Sequence, residues 1–310
     1  MSSKKRLTVL IFSATAALAL IAGMVVLLDP FGRFEDQTRN ESTARIPILM
    51  YHHFADEGSP STVISAAQFE NQIKALSDAG YTAITFEELC DYVFSGAPLP
   101  ERPLIITIDD GYLSVYETAF PILKKYDMKA TVFIIGVSHG KSVYKDTQHP
   151  ITPRFNNAQA LEMAESGIIS IQSHSYDMHQ HEPFETDSFR EGVLQRDDES
   201  DEDYIKSFTA DFQRAAAQIE DMLRMRPFVY SYPFGFYSDM SEMLLRNLDV
   251  KVTLTTVYGV NTVVIDSPES LFGLKRFNIH GDMSVEELLA TIDVSDSGTW
   301  FTRIRDRIRN

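Results

Sequence analysis

The chain has 310 residues, 44% hydrophobic and 23% charged, enough for one large core or two small ones. Its 28 Lys and Arg against 44 Asp and Glu leave a formal net charge of −16, which excludes nucleic acid as the main partner, because phosphate backbones need clustered Lys and Arg. The single cysteine, Cys90, excludes an intrachain disulfide, so the folded part must rest on its core.

The first six residues, "MSSKKR", are basic, and residues 7–28, "LTVLIFSATAALALIAGMVVLL", follow without a charge. As a helix this run rises about 33 Å, long enough to cross a bilayer. The reading is a retained transmembrane signal-anchor: residues 1–6 cytoplasmic, the chain single-pass in the cell membrane, and everything after Asp29 outside. The alternative is a cleaved signal and secretion. A signal's apolar region is usually about 7–15 residues and ends at a small-x-small site, whereas this run continues through "MVVLL". No lipobox-like cysteine follows it. Residues 29–45 are polar without an apolar period and read as a stalk.

From Ile46 onward short apolar runs alternate with helical patterns. "IPILMYH", "PLIITID", "ATVFII", "IISIQSH", "FVYSYPF", "VKVTLTT" and "LKRFNI" read as strands. Phe69, Ile73 and Leu76 fall at i, i+4 and i+7, and Ile205, Phe208, Phe212, Ala215, Ile219 and Met222 hold one helical face. The stretch from Glu182 to Asp203 contains "RDDESDED" and reads as a solvated acidic loop entering that long helix. Ser284 with Glu287 reads as a capping box. Strands alternating with helices predict an α/β domain with a mostly parallel sheet, open or closed into a barrel, over residues 46–293. Residues 294–310 read as a basic surface tail.

In parallel α/β folds, reactive side chains gather at the C-terminal ends of strands. Four predicted strands end in such residues: His52 and His53; Asp109, Asp110 and Gly111; His174; and Tyr232 to Gly235. Adjacent carboxylates at a strand end point in different directions, so one can bind a cation while the other faces a reacting water. His174 and His179 are five apart, which does not share a helix face but can converge from a strand end and a turn. Two histidines and a carboxylate form a ligand set for zinc, iron, cobalt or nickel, with positions left for water.

Taken in order, "TIDDG", "SHSYDMH" and "YPFG" resemble the polysaccharide deacetylases of carbohydrate esterase family 4, the NodB homology domain, over about residues 46–293. The resemblance implies a distorted (β/α)7-type barrel, a divalent metal (zinc by availability, cobalt or nickel as alternatives) and hydrolytic removal of acetyl groups from sugars. It makes Asp110, His174 and His179 the metal ligands, Asp109 the general base, and a backbone N–H at Phe234 a donor to the oxyanion. Tyr176 and Tyr232 would shape the substrate pocket.

This chain departs from the family pattern in three places. Ile108 stands where Phe is common. The histidines are five apart rather than four. "YSYPFG" lacks the Arg that orients the base, leaving Ser231 and Tyr232 before the Pro. The five-residue spacing, the Arg-less "YPFG" and the early "LMYHH" together resemble the branch acting on exported poly-N-acetylglucosamine and related cell-surface glycans. In that branch the "YH" histidine, here His52, is the general acid; His280 is the alternative. His53 and His181 are expected to be non-catalytic. The expected substrate is an N-acetylated exopolysaccharide or cell-wall glycan. An O-acetyl esterase on xylan-like polymers and a catalytically weak glycan-binding protein on the same fold are the rival readings. The oligomeric state stays open.

Overall fold

A computed structural model describes residues 42–145, 147–180 and 189–293. In chain order the elements are β1 (Thr43–Ile46), β2 (Ile48–Tyr51), β3 (His53–Phe54), β4 (Val63–Ile64), α1 (Ala66–Asp78), β5 (Thr82–Ala83), α2 (Phe86–Ser95), β6 (Pro103–Ile108), α3 (Phe120–Lys125), β7 (Ala130–Ile134), α4 (Asn157–Glu165) and β8 (Ile169–Ser173). Then come α5 (Asp201–Leu223), β9 (Val229–Ser231), α6 (Asp239–Asn247), β10 (Val252–Leu254), β11 (Asn261–Val264), β12 (Phe277–Asn278) and α7 (Val285–Ile292). Among the described residues no helix is long and apolar enough to cross a membrane. The expected anchor (7–28), His181 and the tail (294–310) lie outside them.

The seven apolar runs become β2, β6, β7, β8, β9, β10 and β12, and these form one parallel sheet in the order β10, β9, β8, β7, β6, β2, β12. β5 pairs with the start of β6, on Pro103 and Leu104. The sheet curls back on itself. Leu274, just before β12, bridges in parallel to Leu254 of β10, with its N–H on Thr253 O at 2.8 Å and its carbonyl accepting from Thr255 N at 2.9 Å. The segment from Leu274 to Asn278 thus touches β10 at one end and β2 at the other, which fits the expected distorted barrel.

Strand alternation sorts the core into two layers. On β6, Leu104, Ile106 and Ile108 pack outward with Phe69 and Ile73 of α1, Leu123 of α3 and Met163 of α4. Ile105 packs on the other side with Ile48, Phe133, Val229, Val252 and Leu254, from four other strands. Thr107 and then Asp109 continue the Ile105 side, so a carboxylate at the end of β6 is carried to the inside of the curl.

Several local expectations need correction. The polar stalk ends earlier than Arg45, because Thr43 to Ile46 pair antiparallel with β11. In α5 the buried face runs through Tyr204, Phe208, Phe212 and Ile219, while Ile205 is exposed. The acidic stretch is not wholly solvated: the Glu199 side chain is only 3% exposed and takes a bidentate pair from Arg190 at 2.8 and 2.6 Å. The remainder suits its place. Ser200 caps α5, and Asp201, Glu202 and Asp203 fill its first turn, where negative charge favours the helix dipole. The Ser284–Glu287 capping box opens α7.

Candidate metal centre and catalytic site

Asp109 N donates to Tyr51 O at 2.9 Å, so the β2–β6 ladder extends through this residue. The chain then turns: Asp110 has φ 73° and Gly111 φ 68°. A Cβ on Gly111 would lie 3.0 Å from Ile134 Cγ2, so only glycine suits that turn. His174 prolongs β8, its N–H on Ile134 O at 3.0 Å, and Ser175 follows with φ 74°. Left-handed non-glycine residues cost about 1–2 kcal/mol each and gather where the surrounding structure enforces them. Asp110, Ser175 and Phe234 (φ 58°) all belong to this one site.

These turns bring Asp110, His174 and His179 together, with one ligand atom from each lying within 4.8 Å of the others. His179 Nε2 is 3.5 Å and His174 Nε2 3.7 Å from Asp110 Oδ1. Such spacings are too long for good hydrogen bonds but near the roughly 3.4 Å that separates ligands around a tetrahedral centre with bonds of about 2.0–2.1 Å. Asp110 Oδ1 is buried without a hydrogen-bond donor. His174 Nδ1 lies 2.7 Å from Ser231 O, a carbonyl that can only accept, so the ring proton sits on Nδ1 and the Nε2 lone pair faces Asp110. The donor set fits a divalent metal. Burial pushes the Asp110 carboxyl up, but His179, Arg154 and His174 outweigh it and hold it low.

Asp109 stands beside this cluster, its Oδ2 3.9 Å from His174 Nε2. It takes a fork from Arg276: Nη1 to Oδ1 and Nη2 to Oδ2, both at 2.8 Å. Arg276 is 1% exposed, and its Nε donates to Thr255 O at 2.9 Å. Burial opposes the Asp109 charge, yet Arg276 and His174 bring the carboxyl below its usual range. His52 belongs to the same cluster. Burial lowers its pKa, while Asp109 and Asp110 pull it upward, and its Nδ1 is buried without a hydrogen-bond partner. The Phe234 ring lies 4.2 Å from that of His179.

Residues 96–253 match the family model described as polysaccharide deacetylase. The chain belongs to the polysaccharide deacetylase family. It is therefore a hydrolase by family. It is 29% identical to YxkH of Bacillus subtilis (strain 168), provisionally named a polysaccharide deacetylase, over 81% of this chain and 78% of that one. It is 27% identical to a poly-β-1,6-N-acetyl-D-glucosamine N-deacetylase of Staphylococcus aureus (strain MRSA252), over 61% of this chain and 59% of the relative's length. Among solved structures, the Streptococcus pyogenes deacetylase PplD in complex with acetate superposes with a TM-score of 0.64 at 24% identity. That match covers 81% of this chain and all of PplD, and it speaks for the fold.

Within this deacetylase two residues that brace the candidate site escape local motif reading. No arginine stands before Pro233; the one that grips Asp109 is Arg276, 167 positions along the chain and outside the matched span. Its only sequence signal is an arginine inside the strand-like "LKRFNI". The second residue is Asp211 of α5, which accepts from Tyr176 N at 2.8 Å and Asp177 N at 2.7 Å. Burial pushes its carboxyl up to about 6 against those two N–H donors. A carboxylate kept at such cost ties down the turn that delivers His179. Its signal was a lone Asp beside Phe208, Phe212 and Ala215 on the apolar stripe of a helix. Alanine at Asp211 is expected to raise the zinc dissociation constant about 10–100-fold, as loss of a ligand's supporting partner does. Competition with a chromophoric chelator measures it; an unchanged constant would mean that the turn holds itself.

Other predicted residues land differently. Tyr232 is 0% exposed and donates to Glu242 Oε2 at 2.6 Å, so its ring packs the core rather than reaching substrate, a correction to the pocket role. Tyr176 is half-buried, with the Arg214 guanidinium 3.9 Å from its ring centre. His53 Nδ1 pairs with Ser114 Oγ at 2.8 Å. His280 sits in a turn, its carbonyl accepting from Met283 N at 3.1 Å, while Gly281 N donates to Pro60 O at 2.7 Å.

Proposed function

We propose that the protein is a metal-dependent N-deacetylase of an exported N-acetylated polysaccharide of the poly-β-1,6-N-acetyl-D-glucosamine kind. Residues 7–28 would hold it in the cell membrane as a single-pass anchor, with residues 1–6 inside, a polar linker reaching β1, and the deacetylase domain outside through residue 293. The observation that carries the reading is the convergence of Asp110, His174 and His179 beside an Asp109 gripped by Arg276. The staphylococcal relative's printed activity supports the choice of glycan.

The overall reaction adds water to the acetyl carbonyl, breaks the C–N bond and releases acetate and a free amine. Asp110, His174 and His179 would hold the metal, zinc before cobalt or nickel, which when bound supplies Lewis acidity and lowers the pKa of water from about 15.7 toward about 7. Asp109 takes the proton of the attacking water. Arg276 fixes both Asp109 oxygens and keeps the carboxylate ionised until that transfer. The N–H at Phe234 meets the carbonyl oxygen as negative charge builds there. His52 gives a proton to the departing amine. Its buried Nδ1, which has no partner, suits a group that binds and releases a proton.

The test is acetate release by the full chain in mild detergent. The substrates are β-1,6-linked N-acetylglucosamine oligomers, peptidoglycan and an O-acetylated xylan. Release is expected from the N-acetylglucosamine oligomers at well above the rate from the other two. Release from xylan alone would make the protein an esterase. Binding of the oligomers with no acetate from any substrate would make it a glycan-binding protein.

A further inference from the structure

Ten large hydrophobic side chains are exposed among the described residues, and five of them occupy two loops: Phe234, Phe236 and Tyr237 after β9, and Val257 and Tyr258 after β10. Both loops leave the C-terminal ends of parallel strands, the same rim as the metal centre, and the Phe234 ring touches His179 at 4.2 Å. The loops are locked together. Thr256 Oγ1 donates to Phe234 O at 3.3 Å, and a Cβ on Gly235 would collide with Thr256 Oγ1 at 2.1 Å. Two of the exposed rings rest on buried ones. Tyr237 stacks on Tyr232 at 5.2 Å, and Tyr258 packs against Phe277 at 4.7 Å. Tyr237 and Tyr258 are thereby propped from below, and such a cluster of exposed apolar faces beside a site marks a binding surface.

Charge selects the occupant. Residues 232–238, "YPFGFYS", and 255–261, "TTVYGVN", contain no charged residue in a chain that is 23% charged. A lipid surface would draw Lys or Arg toward its headgroups. An uncharged sugar ring needs none: its C–H face packs on an aromatic face while its hydroxyls stay hydrated. We infer that these loops form a platform for the neutral N-acetylhexosamine rings flanking the one that reacts. The inference rests on the deacetylase reading and adds to it where the polymer lies.

The full chain, stripped with EDTA so that nothing is turned over, is titrated by calorimetry with a β-1,6-linked N-acetylglucosamine pentasaccharide and with N-acetylglucosamine. The pentasaccharide is expected to bind more tightly than the monosaccharide. Phe236→Ala and Tyr258→Ala should each weaken pentasaccharide binding about tenfold. Phe94→Ala, an exposed aromatic elsewhere at 48%, should leave it unchanged. Equal binding by wild type and both loop variants, or no preference for the longer ligand, overturns the platform. So does a loss confined to binding of anionic phospholipid vesicles. Loop-dependent binding without acetate release on metal readdition sinks only the deacetylase reading. Acetate release with loop-independent binding sinks only the platform.

Discussion

Alanine in place of His174 is expected to abolish metal binding and acetate release together. His174 is buried, its Nδ1 proton is committed to Ser231 O, and its Nε2 faces Asp110 Oδ1, an atom that accepts no hydrogen bond among the described residues. Without this ligand, His179 alone remains beside the buried Asp110 carboxylate. Turnover should fall roughly a thousandfold or more, since under the proposed mechanism both water activation and oxyanion stabilisation would draw on the cation. Metal content by mass spectrometry should fall with it. A variant that keeps its metal and loses only activity would remove His174 from the ligand set.

The second large effect separates Asp109 from Arg276. Asp109→Asn should retain metal and lose roughly 10²–10⁴ in turnover, the contribution of a general base. Arg276→Met should lose activity as well, and also stability. Removing one partner of a buried, bidentate ion pair costs about 3–5 kcal/mol, or about 6–20 °C in a domain of this size. The double variant Asp109→Asn with Arg276→Met leaves no buried charge unpaired, so calorimetry should find most of that stability restored while activity stays absent. If Arg276→Met melts like wild type, the fork is not what holds Asp109.

How far the sequence alone leads depends on how local each feature is. The seven sheet strands were legible because parallel strands buried on both faces read as continuous apolar runs. β3, β4 and β5 have two residues each, too few for any period, and β1 is four residues inside a polar stretch. Asp109, Asp110, His174 and His179 were legible because each ends a strand or lies in the turn after one. Arg276 was not, because its partner is a neighbour only after the sheet curls. Tyr232 misled for a related reason: the "YPFG" string marks a backbone turn at the site, while alternation along β9 turns that ring into the core with Tyr230 and Phe212. Glu199 shows the limit of charge runs, since one acidic residue in a solvated stretch found a buried arginine.

The most direct test of the account is acetate release from N-acetylglucosamine oligomers by the full chain, before and after exhaustive chelation and on readdition of about one equivalent of zinc, cobalt or nickel. The account predicts that chelation stops release, that readdition restores it in the wild type, and that the same readdition fails in His174→Ala. Release that continues undiminished through chelation would contradict it.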